Sequence, residues 1–63
     1  MNKDLEKAIN RAIKAAKKRL ETMFVFYEYG DGYQIGDDYD AVTYFGGLTP
    51  VCACTSAGEI ESY

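Results

Sequence analysis

At Thr22 the chain changes its hydrophobic period, and this change limits the possible folds more than any motif does. Before it, Leu5, Ile9, Ala12, Ile13, Ala16 and Leu20 recur at steps of three and four, with Ala8 and Met23 on the same side. At 100° per residue these positions form one stripe, which predicts an amphipathic helix packed on another layer. Asn2 or Asp4 can cap its start. Asp4 and Glu6 lie where the helix dipole favours acids, and Lys17, Lys18 and Arg19 lie where it favours bases.

After Thr22 the residue types suit strands. Met23-Phe24-Val25-Phe26-Tyr27-Glu28-Tyr29 is rich in β-branched and aromatic side chains, which fit a pleated, half-buried surface. Gly30-Asp31-Gly32 supplies turn chemistry, and Tyr33-Gln34-Ile35 returns as a second strand. Two registers compete. A two-residue Asp31-Gly32 turn would put Phe24, Phe26, Tyr33 and Ile35 on one face, whereas a three-residue loop would group Tyr33 and Ile35 with Val25 and Tyr27. The first is preferred because it turns Gln34 outward.

Asp37 or Asp38 can cap a short helix or irregular turn through Ala41–Phe45, which Gly46-Gly47 would end. Val51–Thr55 and Glu59–Tyr63 read as two further strands around a Ser56-Ala57-Gly58 turn. The expected architecture is a two-layer α+β domain spanning residues 1–63. Its order is α-β-β-(short α)-β-β, with the Leu5/Ile9/Ile13/Leu20 stripe laid on sheet-face aromatics of a mainly antiparallel sheet.

A chain of 63 residues buries only about 60% of its unfolded surface, so its stability is expected to be marginal. The usual staples are weakly represented. Cys52 and Cys54 are the only cysteines, and one intervening residue suits a mutual disulfide poorly. Oligomerisation is the expected substitute, and a homodimer stands as an alternative to a well-packed monomer. The charged start does not suggest a secretory leader, and no apolar run approaches the roughly 18 residues of a membrane span. Two cysteines without a disulfide framework suit a reducing cytoplasm.

Charge is divided along the chain. Residues 1–20 hold all seven bases against two acids, a balance of +5. Residues 21–63 hold eight acids and no base, a balance of −8. Such asymmetry separates two faces or two partners. Lys3, Lys7, Arg11, Lys14 and Lys18 share the side of the helix opposite the apolar stripe. That side reads first as a solvated outer face and second as a surface for phosphates.

Several chemistries are argued against by residue type. Histidine is absent, which removes the commonest general base near neutral pH and the usual partner of a Ser or Cys nucleophile. No phosphate-binding glycine motif occurs, and Asp37-Asp38-Tyr39-Asp40 lacks EF-hand spacing. Cys52 and Cys54 would share one face of a strand, where small thiols suit a core. A thiol–metal role would need ligands from elsewhere. An enzyme is not expected, and neither is a cofactor.

What remains is a surface for another macromolecule. The acidic half mixes six tyrosines with Asp and Gly, and tyrosine gives large contact area at low entropic cost. One helix cannot cover both faces of a sheet. The expected function is therefore a small non-enzymatic protein-binding module, of inhibitor or adaptor type. It would present an acidic, tyrosine-bearing sheet face to a partner protein with a basic surface. Tyr27, Tyr29, Asp31, Asp37, Asp38, Tyr39 and Asp40 are the candidate contacts. A nucleic-acid accessory protein acting through the basic helix is the first alternative, because the acids elsewhere would repel a phosphate backbone. A thiol–metal protein acting through Cys52 and Cys54 is the second.

Overall fold

A computed structural model describes residues 2–63 of the chain. Helix α1 spans Lys3–Arg19, strand β1 Met23–Glu28, strand β2 Gly32–Gly36, helix α2 Asp38–Thr43, strand β3 Cys52–Cys54 and strand β4 Ile60–Ser62. The strands form one antiparallel sheet in the order β2-β1-β3-β4. This is the expected α+β class and element order.

Local chemistry sets the ends of α1. The Asn2 side-chain oxygen accepts from the Asp4 amide at 2.8 Å, satisfying one of the unpaired donors of the first turn. At the other end Leu20 takes a left-handed backbone, φ 55°, and its amide donates to the Ala16 carbonyl. Leu20 is thereby turned out of the stripe and is 81% exposed, contrary to its expected place in the core. Ala8, Ala12 and Ala16 form the deepest line of the helix, with Leu5, Ile9 and Ile13 flanking them, half-buried. A line of alanines lets the helix backbone lie close to the sheet.

The hairpin register differs from the preferred one. Val25 pairs with Ile35, Tyr27 with Tyr33 and Glu28 with Gly32. Three residues, Tyr29, Gly30 and Asp31, therefore make the turn. The Asp31 amide donates to the Glu28 carbonyl at 3.0 Å. Gly30, at the third turn position, has φ +90° and Gly32 has φ +80°, both open to glycine and strained for other residues. Consequently Val25, Tyr33 and Ile35 lie under α1 together with Met23, Cys52 and Cys54. Phe24 and Phe26 point the other way. Gln34 still turns away from the helix, and its amide nitrogen donates to the Asp31 carbonyl at 3.2 Å.

The far face of the sheet is also covered. Segment 37–49 crosses it from β2 to β3, passing over β1. Phe45 lies flat on Phe26, ring centroids 4.3 Å apart and planes 12° from parallel. Phe26 is fully buried as a result. This approach needs Gly36, where an added Cβ would come within 2.8 Å of the Asp40 Cβ and 3.1 Å of the Phe45 ring. The expected free sheet face is thus a thin third layer, because the chain spends 13 residues roofing it.

Adjacent aromatics in that layer should behave oppositely. Phe45→Ala removes the stacked, buried ring and should cost about 3–5 kcal/mol. A domain of this size holds only about 3–9 kcal/mol in total. Tyr44→Ala removes an exposed ring and should change stability by no more than about 0.5 kcal/mol. Urea unfolding of the two variants checks the second face directly. Similar midpoints for both would remove Phe45 from the core.

Candidate protein-binding surface

Strand parity sorts the charges between the two sides of the sheet. Lys3, Lys7, Arg11, Lys14 and Lys18 are exposed along α1, on one side. Glu28 shares the face of Phe24 and Phe26, and Glu61, opposite Ala53, shares it too. Asp37, Asp38 and Asp40 belong to the start of α2, which covers that same face. For these residues the division along the sequence becomes a division between opposite faces of a thin molecule, 18 Å across its shortest axis.

The start of α2 is built by its acids. The Asp37 carboxylate accepts from the Asp40 amide at 2.9 Å, and the Asp40 carboxylate accepts from the Asp37 amide at 3.3 Å. This reciprocal capping box satisfies two end groups of a helix only six residues long. Arg19 Nη2 reaches Asp37 Oδ2 at 2.7 Å and Glu21 Oε1 at 3.0 Å. One arginine thus ties the end of α1 to the cap of α2 around the end of the sheet. Among the described residues it is the one cation in an ion pair, so the six others stay free on the α1 side. The Asp40 amide hydrogen bond, with help from Arg19, holds the Asp37 carboxyl below the usual aspartate range.

The expected contact residues fall into two groups. Tyr29 and Asp31 sit in the hairpin turn, whereas Asp37, Asp38, Tyr39 and Asp40 follow the opposite end of β2. The strand separates them by about 14 Å, at some 3.4 Å per residue. Tyr27 joins neither group as expected. Its ring lies 5.0 Å from that of Tyr33, on the α1 side of the sheet. Asp31 and Tyr33 instead line a groove of about 260 Å³ against Asp4, Lys7 and Arg11 of α1. Both signs of charge meet there, so the hairpin tip does not extend the acidic surface.

The α2 layer carries exposed side chains beyond the expected contact residues. Val42 and Tyr44 are 77% and 83% exposed, and Tyr39 is 74% exposed. Tyr39 and Val42 are three apart and so share one side of the helix. Leu48 and Tyr63 are exposed as well. The available signal was the mixture of apolar residues in Ala41–Phe45, since a six-residue helix on a sheet can bury only one side. Phe45 took the buried position, leaving Tyr44 and Val42 outside.

Cys52 and Cys54 are buried beneath α1, and neither is in a disulfide. Burial pushes both thiols up, Cys54 to about 11. Among the described residues no three His, Cys, Asp or Glu side chains gather as a metal-binding group. The same residues include no helix long and apolar enough to cross a membrane. Compared with known protein families, curated proteins and solved structures, the chain matches none.

Two measurements follow from these environments. Asp37 has a lowered folded pKa, so its contribution to stability is complete above the ordinary aspartate value of about 3.9 and is lost as pH falls through the folded value. Melting temperature should fall less steeply below about pH 4 in Asp37→Asn, which can still cap the helix, than in the parent. Equal slopes would detach Asp37 from acid unfolding. Separately, a thiol reagent at pH 8 should react slowly with the native protein and rapidly with two thiols in denaturant. Fast labelling of the folded form would contradict burial under α1.

Proposed function

We propose that this protein is a small non-enzymatic binding module whose working surface is the α2 layer, and that it docks on a basic surface of a partner protein. The observation that carries the reading is the exposure of Tyr39, Val42 and Tyr44 together on a layer whose charged residues are acidic. Large exposed aromatics lose little entropy on docking and bury much area. Asp38, exposed on the same short helix, would belong to the charged rim. Such rims steer approach and select partners, while central aromatics hold the complex. This contact set keeps Asp38 and Tyr39 of the expected residues, leaves out the hairpin tyrosines and adds Val42 and Tyr44.

The basic face of α1 supports a second reading. Lys3, Lys7, Arg11, Lys14 and Lys18 are exposed without ion pairs among the described residues, which suits a phosphate backbone or another acidic partner. Of the aromatics on that side, Tyr27 and Tyr33, Tyr33 lines a groove shared with Asp4 and Asp31, so a platform on which bases would stack is not uniformly basic there. The protein-binding reading is preferred because the opposite face supplies both aromatics and a uniform charge.

Paired variants test the choice. Immobilised protein is exposed to lysate from its host, with and without nuclease, and the same captured species is followed across variants. Tyr39→Ala and Tyr44→Ala should each accelerate dissociation, by about thirtyfold for a ring at the centre of the contact. Asp38→Asn should slow association and flatten its salt dependence. Lys7→Gln, Arg11→Gln and Lys14→Gln together should leave capture unchanged. Nuclease-sensitive capture lost only in the α1 variant would replace this reading with the second one.

A further inference from the structure

The outer edge of β4 has a defined hydrogen-bonding phase. The Thr55 amide donates to the Glu59 carbonyl at 2.9 Å, and the Tyr63 amide donates to the Val51 carbonyl at 3.3 Å. In an antiparallel ladder successive residues direct their backbone groups alternately to one neighbour and to the other. Glu59, Glu61 and Tyr63 therefore address β3, whereas Ile60 and Ser62 direct their N–H and C=O groups outward, where no strand among the described residues pairs with them. All three β4 residues are exposed.

The side chains on this edge are equally specific. Ile60 shares the α1 side with Cys54, yet α1 packs on β1, β2 and β3 and does not reach β4, so Ile60 stays 49% exposed. Glu61 projects to the opposite side and makes no ion pair among the described residues. An added strand would find an apolar neighbour on one side and an acid on the other. The remaining edge, β2, carries no charged residue in Gly32–Gly36 and so offers no comparable selection.

We propose that the β4 edge accepts an extended peptide segment in which apolar and basic residues alternate, added as a fifth strand. Its apolar residues extend the α1-side surface beyond Ile60, and its lysines or arginines meet Glu61. The backbone groups of Ile60 and Ser62 supply the ladder. A second copy of this chain fits poorly. Antiparallel two-fold pairing through the outward groups sets Glu61 against Glu61, Glu59 against Glu61 or, centred on Ser62, Glu61 against Tyr63; the first two oppose like charges, which is destabilising, and the third gives Glu61 no base. No strand of the chain carries a base that could relieve this, since all seven lie in residues 1–20. The acid that blunts the edge against self-pairing is the one that selects a basic segment.

Two fluorescein-labelled heptapeptides of identical composition test the proposal, one alternating lysine with valine and one with the lysines grouped. Fluorescence anisotropy should show the alternating peptide binding at least about tenfold more tightly. Ser62→Pro removes an outward N–H that β3 does not use, a position where an edge strand tolerates proline, and should weaken binding by about tenfold at unchanged melting temperature. Glu61→Gln should weaken binding at low salt and reduce its salt dependence. If Ser62→Pro proves unstable, amide hydrogen exchange of the parent at Ile60 and Ser62 decides instead, and should slow when peptide is added. Equal affinity for the two peptides, or exchange at those amides unaltered by peptide, overturns the proposal. Tyr39→Ala and Tyr44→Ala should not affect peptide affinity, so this edge and the α2 surface stand or fall separately.

Discussion

The structure depends on β1 being buried on both faces. Val25 and Phe26 are adjacent residues, both fully buried, and they point in opposite directions. No single layer can cover such a strand, so the chain must provide two roofs from few residues. The first is α1, brought close by Ala8, Ala12 and Ala16. The second is segment 37–49, too short for a long helix, which relies on one stacked ring and one glycine to make contact. Burial on both sides is how so small a chain obtains a core without a disulfide between its cysteines.

This arrangement explains where the charges go. A base on α1 must lie on the far side of the alanine line, hence on one broad face of the molecule. An acid on the second roof, or on strand residues of the Phe26 parity, must lie on the other. The two faces are joined by Arg19, whose guanidinium spans from the end of α1 to the Asp37 cap of α2. Exposed ion pairs contribute little individually. This one restrains two elements 18 residues apart in the chain, and Asp37 also caps a helix that has few other supports.

The surfaces left over follow from the same economy. A six-residue helix can bury one side, and Phe45 occupies the buried position next to it, so Tyr39, Val42 and Tyr44 remain outside. A single helix of 17 residues covers three strands and stops short of the fourth, so Ile60 remains uncovered. Neither exposure reflects an unsuitable sequence. Both follow from the limited area that two short roofs can cover. Each has acids near it in the chain, Asp38 and Asp40 for the first and Glu59 and Glu61 for the second.

The sequence by itself determined the elements and their order. The 3.6-residue period of Leu5–Ala16, the aromatic run from Met23, the Asp37 cap and the Cys52–Cys54 strand are local features, set by backbone propensity and hydrogen bonding within a few residues. It also determined that bases and acids would part. Tertiary structure decided the rest. The register of Tyr33 against Tyr27 rather than the alternative turned on which faces two roofs could cover, and a one-residue change inverts every side chain of a strand. Leu20 left the stripe because the helix ended in a left-handed turn at that residue. Tyr27 exchanged the acidic face for the α1 side, while Tyr44 and Val42 became exposed because Phe45 filled the one place on Phe26. These outcomes depend on contacts between residues distant in sequence, and no local pattern records which of two neighbouring aromatic rings will find the space.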